Sequence, residues 1–186
     1  MKKYLILFVA IFTIATNFSK KIAQANSLYI ADKKIALPGD GGYDYLFIDQ
    51  QNRRLYVSHG TTVHVINLDT EELTGTITGM EGNHGIAVVK NSGKGFISDG
   101  KANAVVAFDL TTLKVKATMP LSGKKPDAII YDSFSNLVFA FNGGSDNASV
   151  IDVDLLKEIG TIPLTGGPEF AVTDGHGKIY NNIEDR

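Results

Sequence analysis

Short runs of apolar and β-branched residues alternate with polar segments along most of the chain. In residues 126–162, four such runs follow one another, at 127–131, 137–141, 149–152 and 158–162. The segments between them are rich in Asn, Asp, Ser and Gly, which favour turns because they tolerate left-handed backbone or bond their own backbone. Four strands of about five residues, with a turn roughly every eight to twelve residues, predict an all-β sheet protein.

The same unit occurs before and after this stretch. The segments Ile66-Asn67-Leu68, Phe108-Asp109-Leu110 and Ile151-Asp152-Val153 are spaced by 42 and 43 residues. The segments DYLFID, HGIAVV, DAIIYD and EFAVTD are spaced by 40, 43 and 42 residues. A four-strand repeat of this length is typical of a β-propeller blade, whose two apolar faces are buried when blades pack radially.

The repeat predicts blades at about 38–77, 78–119 and 120–162, and a partial blade from 163 to 186. Residues 27–36 are predicted to form a lone strand that completes the outer edge of the last blade. Three and a half blades do not close, since propellers generally have four to eight. We therefore interpret residues 26–186 as part of a larger propeller, or as a half that pairs with another chain. Self-association through the open blade edges is expected, because Phe170, Val172 and Ile179 would lie uncovered.

The N-terminus predicts export. Residues 1–25 combine Met1-Lys2-Lys3, an apolar run at 4–16 and a small-x-small site at Ala23-Gln24-Ala25, which together are typical of a bacterial signal peptide. The run is too short to span a bilayer, which needs about 20 residues, although an uncleaved anchor is the alternative. The expected location is periplasmic or extracellular, and no membrane contact is expected beyond this segment.

Charge and composition exclude several classes of function. Cleavage after Ala25 removes four lysines and no acid, so the net charge falls from −2 to −6. Nucleic acid and anionic lipid both require clustered Lys and Arg, so neither is expected as a partner. The absence of Cys excludes disulfides and thiol catalysis.

The blade ends SVIDVDLLKEIGTIP and VVAFDLTTLKVKATMP resemble the YVTN-type repeat of bacterial β-propellers. The segments LPGDGGYDYLFIDQQNRRLYVSHGTTVHVINLDTEELTGTI, KKPDAIIYD and TGGPEFAVTDGHGKIYNNIED are similar to the YncE family of exported propellers. The resemblance covers residues 37–186. It implies a seven-bladed ring of about twice this length, and it implies no agreed reaction.

Equal positions in the repeat give two columns of polar candidates on one face of the propeller. The first column, where the inner strand of each blade begins, is Asp44, His84, Asp127 and Glu169. The second column, fifteen residues later, is His59, Asp99 and Asn142. Rotation about one axis should gather these side chains into a ligand site or an oxygen-rich metal site. The structural alternative is that they cap turns. His64 and His176 are predicted to be surface histidines, and Tyr43, Tyr45 and Phe47 inter-blade core.

The leading functional interpretation is a non-enzymatic binding module that takes a small ligand or a partner protein at its channel face. The alternative is a divalent-metal lactonase or related hydrolase of the gluconolactonase type, in which one ion polarises a lactone carbonyl. Its ligands would be Asp44, Asp127, Asn142 and Glu169. No cofactor is expected for the binding module, and a divalent cation is the candidate for the hydrolase. A surface scaffold without a ligand is a third interpretation.

Overall fold

A computed structural model of the chain describes residues 32–185. The chain divides into two compact units, Met1–Ala36 and Leu37–Arg186. In the first unit, the described residues 32–36 lie in neither a strand nor a helix, so the predicted lone strand is not formed there. The rest of that strand and the predicted signal peptide, residues 1–25, lie outside the described residues.

The second unit consists of three four-stranded antiparallel sheets and one two-stranded sheet, each in chain order. Blade one contains β1 (Tyr43–Asp49), β2 (Arg54–His59), β3 (Thr62–Asn67) and β4 (Leu73–Ile77). Blade two contains β5 (Asn83–Val89), β6 (Lys94–Asp99), β7 (Ala104–Asp109) and β8 (Val115–Pro120). Blade three contains β9 (Pro126–Asp132), β10 (Leu137–Asn142), β11 (Asn147–Asp152) and β12 (Lys157–Pro163). Blade four contains β13 (Pro168–Thr173) and β14 (Ile179–Ile183).

This architecture confirms the predicted all-β fold of about three and a half blades. Across residues 32–185 the helical content is one 3-10 turn at Lys90–Ser92. No helix in this part of the chain is long and apolar enough to cross a membrane. Some strand ends differ from the prediction. β8 begins only at Val115, because Leu113 adopts φ 59° in the preceding turn.

The turn between the two outer strands is built in the same way in each complete blade. Its first residue is Asn67, Asp109 or Asp152, and one side-chain oxygen of that residue accepts hydrogen bonds from the backbone N–H groups two and three residues later. The backbone amide of Thr112 is the main reason why the pKa of Asp109 lies well below its ordinary value. These side-chain bonds replace backbone partners and explain why Asn and Asp recur at this repeat position.

Apolar side chains from neighbouring blades interlock. Ile86 and Val88 of β5 pack with Tyr56 and Val65 of blade one, and the Tyr56 ring lies 5.8 Å from the Phe108 ring. A second cluster joins Ala87 and Phe96 of blade two to blade three, and a third joins blade three to Ala171 of blade four. Burying one such large side chain contributes roughly 1.5–3 kcal/mol, so the interfaces between blades supply much of the stability.

The first strands β1, β5, β9 and β13 lie side by side in that order and are the inner strands of the propeller. An apolar cavity of about 400 Å³ lies among them and is lined by residues of all four. Each inner strand therefore presents its first residues at the same end of this channel, which is where the polar candidates of the sequence lie.

We predict that Gly95→Ala destabilises the protein by about 1–3 kcal/mol, the usual cost of overpacking a core. A Cβ at Gly95 would overlap the Phe108 ring, which is fully buried and has no room to move. The matched control is Gly160→Ala, also in a strand, where a Cβ would have no atom within 4 Å. Urea unfolding measures both variants, and equal midpoints would show that the interface tolerates the extra methyl group.

We predict that the 1–186 polypeptide self-associates through blade four. Phe170 and Val172 are both 51% exposed on its inner strand, and a contiguous apolar patch of this kind promotes association. The double variant Phe170→Glu/Val172→Glu should lower the mass measured by light scattering, whereas Phe134→Glu/Leu155→Glu, at exposed turn positions, should not. A wild-type monomer would contradict the prediction.

Candidate functional site

Four polar residues occupy the second position of the four inner strands, and we call them the rim. They are Asp44 in β1, His84 in β5, Asp127 in β9 and Glu169 in β13. Their shared position follows from the repeat, because rotation about the propeller axis gives equal repeat positions equal heights. The sequence predicted that they would be the first residue of each inner strand, whereas they are the second.

Asp44, His84 and Asp127 are brought into one group. His84 Nδ1 lies 2.6 Å from Asp44 Oδ2, a distance at which Nδ1–H donates to the carboxylate. One ligand atom from each of the three residues lies within 4.8 Å of the others. The side chains are accessible, with His84 33% and Asp44 41% exposed. The rim can therefore be reached by a ligand from solvent.

Glu169 extends the negative charge of this group. Partial burial and then the nearby carboxylates of Asp127, Glu184 and Asp44 raise the pKa of Glu169 above its ordinary value. Like charges raise a carboxyl pKa because ionising one carboxylate near another is costly, and a bound cation relieves that cost. The rim is thus an electrostatic environment that favours a positive partner.

Tyr45 lies across the channel and was not recognised from the sequence as part of the rim. Its partly buried ring packs against two apolar clusters, the one between blades one and two and the one between blades three and four. This position agrees in part with the predicted inter-blade role. Its hydroxyl, however, points to the rim, 3.4 Å from the carbonyl oxygen of Glu169. Burial is the main cause that raises the pKa of Tyr45, and the negative charge of the nearby Asp127 carboxylate raises it further.

The second predicted column is buried. The Asp99 carboxylate accepts hydrogen bonds of 2.9 Å from the backbone N–H groups of Glu81 and Gly82. The Asn142 amide donates to Asn147 Oδ1 at 2.7 Å and to Ser149 Oγ at 2.9 Å. These side chains hold loops and strand ends of their own blades, so they lie apart from the solvent-accessible group. A ligand-binding role for them stays a prediction.

His59, the third member of the second column, forms a buried chain with His64. His59 Nε2 lies 3.2 Å from the Gly41 carbonyl oxygen, and His59 Nδ1 lies 3.2 Å from His64 Nε2. His64 Nδ1 in turn lies 3.2 Å from Thr76 Oγ1. Since a carbonyl only accepts, His59 donates from Nε2 and accepts at Nδ1, so His64 donates from Nε2 and accepts from Thr76. Tyr43 covers the His59 ring, with the two ring centres 4.1 Å apart.

The prediction that His64 is a surface histidine is wrong, since it is 2% exposed. It was assigned to an outward position of β3, but both faces of this blade are covered at that point. His176 is exposed, as predicted.

Two serines that the sequence analysis missed hold the backbone of the rim. The Ser58 hydroxyl donates to the carbonyl of His84, and the Ser98 hydroxyl donates to the carbonyl of Asp127. Both serines are fully buried and occupy the same repeat position, 40 residues apart, so blade one fixes the rim residue of blade two and blade two fixes that of blade three. Serine in an apolar strand at a recurring position was the available signal. In blade three that position is Phe141.

Comparisons with known proteins support the fold. No family model matches the chain. Antigen Lp49 of Leptospira interrogans serogroup Icterohaemorrhagiae serovar copenhageni (strain Fiocruz L1-130) is 39% identical over 83 residues, which are 45% of this chain and 18% of that protein. The chain thus spans less than a fifth of that relative.

Three solved structures share the architecture. Hydrazine synthase of Kuenenia stuttgartiensis matches with a TM-score of 0.73 at 14% identity, covering 84% of this chain and 46% of that chain. A functionally unknown protein from Desulfotomaculum acetoxidans DSM 771 matches with a TM-score of 0.70 at 17% identity, covering 85% and 54%. The WD40 β-propeller domain of Doa1 matches with a TM-score of 0.63 at 12% identity, covering 77% and 47%. The chain is a β-propeller that spans about half the length of these structures.

We predict that His64 makes the protein less stable in acid. Burial and then His59 lower its pKa below the ordinary value of 6.5, so the unfolded chain binds a proton more readily than the folded one. Its contribution to stability is complete above about pH 6.5 and is lost as the pH falls towards the lower folded-state pKa. Melting temperatures between pH 8 and 5 should therefore fall less steeply in His64→Gln than in wild type. His176→Gln is the control and should keep the wild-type slope; an unchanged slope in His64→Gln would contradict the assignment.

Proposed function

We propose that this chain belongs to an exported propeller that binds, at its rim, a positively charged group of a small ligand or a partner protein. The observation that carries the proposal is the convergence of Asp44 and Asp127 with His84 at one accessible end of the channel, with Glu169 close enough to both carboxylates for their charges to raise its pKa. In residues 32–185, the ion pair made by these carboxylates is the one between Asp44 and His84. The surplus of negative charge is therefore free to meet a cationic ligand.

The fold supports binding rather than a specific reaction. Propellers act widely as binding scaffolds, but a fold alone does not assign a function. We place binding ahead of the hydrolase alternative because Asn142, one of its proposed ligands, is fully buried and its amide is held by Asn147 and Ser149 within its own blade, apart from the accessible rim. The cavity below the rim is lined mainly by apolar side chains, which suits the apolar part of a ligand whose charged head lies at the carboxylates.

Export and family membership are parts of the same proposal. The basic start, apolar run and small-residue site within residues 1–25 support export. The name of the leptospiral relative, an antigen, supports display at a surface. The YVTN-type blade ends support membership of the YncE-like propellers, with seven blades in the complete ring.

The proposal predicts preferential binding of basic probes. Fluorescence polarisation in EDTA compares lysinamide-dye, a Lys- and Arg-containing peptide, and an acidic peptide of equal length. Wild type should bind a basic probe and not the acidic one, with affinity falling as salt rises. Tight binding of lysinamide indicates a small ligand as the natural partner, and binding of the peptide alone indicates a protein.

Matched charge variants identify the surface involved. Asp127→Asn/Glu169→Gln removes two charges from the rim, and Asp154→Asn/Glu72→Gln removes two from exposed positions elsewhere. Only the rim variant should lose binding, by about tenfold or more if one charged contact of about 1.4 kcal/mol is lost. Equal binding by both variants, or no preference for basic probes, would refute the proposed function.

A further inference from the structure

We propose that Asp44, His84 and Asp127 form a binding site for a divalent transition-metal ion. This inference rests on the proposed function, because both use the rim as the binding surface. It goes further by specifying the class of cation that binds there. The sequence analysis expected an oxygen-rich site with Asn142 as a ligand. The structure instead places an imidazole nitrogen between carboxylates, which changes the class of metal that fits.

The positions of the three ligand atoms suit one ion. All three lie within 4.8 Å of one another. Imidazole and carboxylate ligands lie about 2.0–2.2 Å from a zinc ion, so two ligands of the same ion are about 3 Å or more apart. Asp44 Oδ2 and His84 Nδ1, at 2.6 Å, must separate by roughly half an ångström on this geometry. Side-chain rotation of the partly exposed Asp44 accommodates such a shift.

The donor set favours transition metals over Ca²⁺ and Mg²⁺. Hard cations prefer oxygen ligands throughout, and Ca²⁺ usually takes six to eight of them. One imidazole with two carboxylates suits Zn²⁺, Co²⁺ or Mn²⁺, with remaining positions open to water or a ligand. The Tyr45 hydroxyl and the Glu169 carboxylate, both close to Asp127 in charge interactions, lie in the surroundings of such an ion.

The ligands are held in place before any ion binds. Ser58 fixes the His84 backbone and Ser98 fixes the Asp127 backbone, each by a buried hydroxyl. Gly100 leaves room for the imidazole, since a Cβ there would lie 2.7 Å from His84 Nε2 and 3.1 Å from the Pro126 carbonyl oxygen. These contacts orient Nδ1 towards Asp44. Preorganised ligands lose little conformational entropy on binding, which favours affinity.

The ion would replace a hydrogen. In the structure Nδ1–H of His84 donates to Asp44, and a metal bound to Nδ1 takes the place of that hydrogen. The hydrogen moves to Nε2 in a neutral imidazole or leaves to solvent from an imidazolium ion. Acid therefore competes with the metal, and affinity should fall as the pH is lowered.

The test titrates Co²⁺ into the tag-free 1–186 chain and follows the visible absorption that cobalt acquires with nitrogen and oxygen ligands. Wild type should show these bands, Zn²⁺ should abolish them by displacement, and equal Ca²⁺ should not. His84→Gln and Asp127→Asn should lose the bands. Gly100→Ala, which displaces the imidazole without removing a ligand, should weaken binding by about tenfold or more, the scale of supporting-residue effects in metal sites.

Two variants are controls for the other histidines. His176→Gln and His64→Gln should bind cobalt as wild type does, since the first is an exposed turn residue and the second lies in the buried pair with His59. A ¹⁵N NMR measurement on the wild-type protein tests the site even if a variant fails to fold. The chain has four histidines, and Zn²⁺ should shift the ring ¹⁵N resonances of one of them.

Several results would overturn the inference. They are an absence of cobalt bands in wild type, a loss of the bands in His64→Gln but not in His84→Gln, and Ca²⁺ binding as tight as Zn²⁺ binding. Basic probes that bind in EDTA without any cobalt binding would overturn the metal site and leave the proposed function standing. Cobalt binding without affinity for basic probes would refute the proposed function and leave the metal site standing. If both hold, Zn²⁺ should compete with the basic probe for the rim.

Discussion

The whole structure depends on the packing of one blade face against the next. Each blade is a sheet with two apolar faces, and neither face is covered within its own repeat. Ile86 and Val88 of β5 are buried because blade one covers them, and Ile129 is buried because blade two does. In blade one, Leu46 occupies the repeat position of Ile86 and Ile129 and is 66% exposed. A large aliphatic residue at the same repeat position is thus core or surface according to its neighbour, which shows that contact between blades, and not strand propensity, decides burial here.

This packing also determines the position of the candidate site. Blades that interlock through equivalent residues are related by rotation, so the second residues of the inner strands meet at one end of the channel. The buried serines strengthen that relation, because Ser58 connects blade one to His84 and Ser98 connects blade two to Asp127. The interfaces that stabilise the fold therefore also orient His84 and Asp127. A substitution that moves one blade relative to the next, as overlap at Gly95 would, should be felt at the rim as well as in the core.

The sequence predicted the fold and the first column of polar residues well, and it predicted the second column less well. The spacing of apolar runs located the strands within a few residues, because a period of two and a repeat of about 42 residues are both visible along the chain. Repeat position alone placed Asp44, His84 and Asp127 together. It could not show that His59 lies beneath the loop containing Gly39 and Gly41, since loop paths are not periodic. His64 was misassigned because it lies on the face of blade one that no other blade covers, and it is buried there beside His59 under that loop, which the strand pattern does not reveal.

What separates the rim from the other acidic positions is how each carboxylate is used. Asp49, Asp99, Asp109, Asp132 and Asp152 all accept hydrogen bonds from backbone N–H groups, which makes them parts of turns. Within residues 32–185, Asp44 and Asp127 accept none; Asp44 pairs with His84, and Asp127 lies in the same group, with its carboxylate within 4.8 Å of their ligand atoms. A carboxylate that caps a turn uses its lone pairs for hydrogen bonds to the backbone. A carboxylate that faces only side chains at the accessible end of the channel can exchange those partners for a ligand. Residue type alone does not distinguish turn-capping carboxylates from rim carboxylates, since Asp occurs in both roles. The hydrogen-bond partner of each carboxylate oxygen distinguishes them.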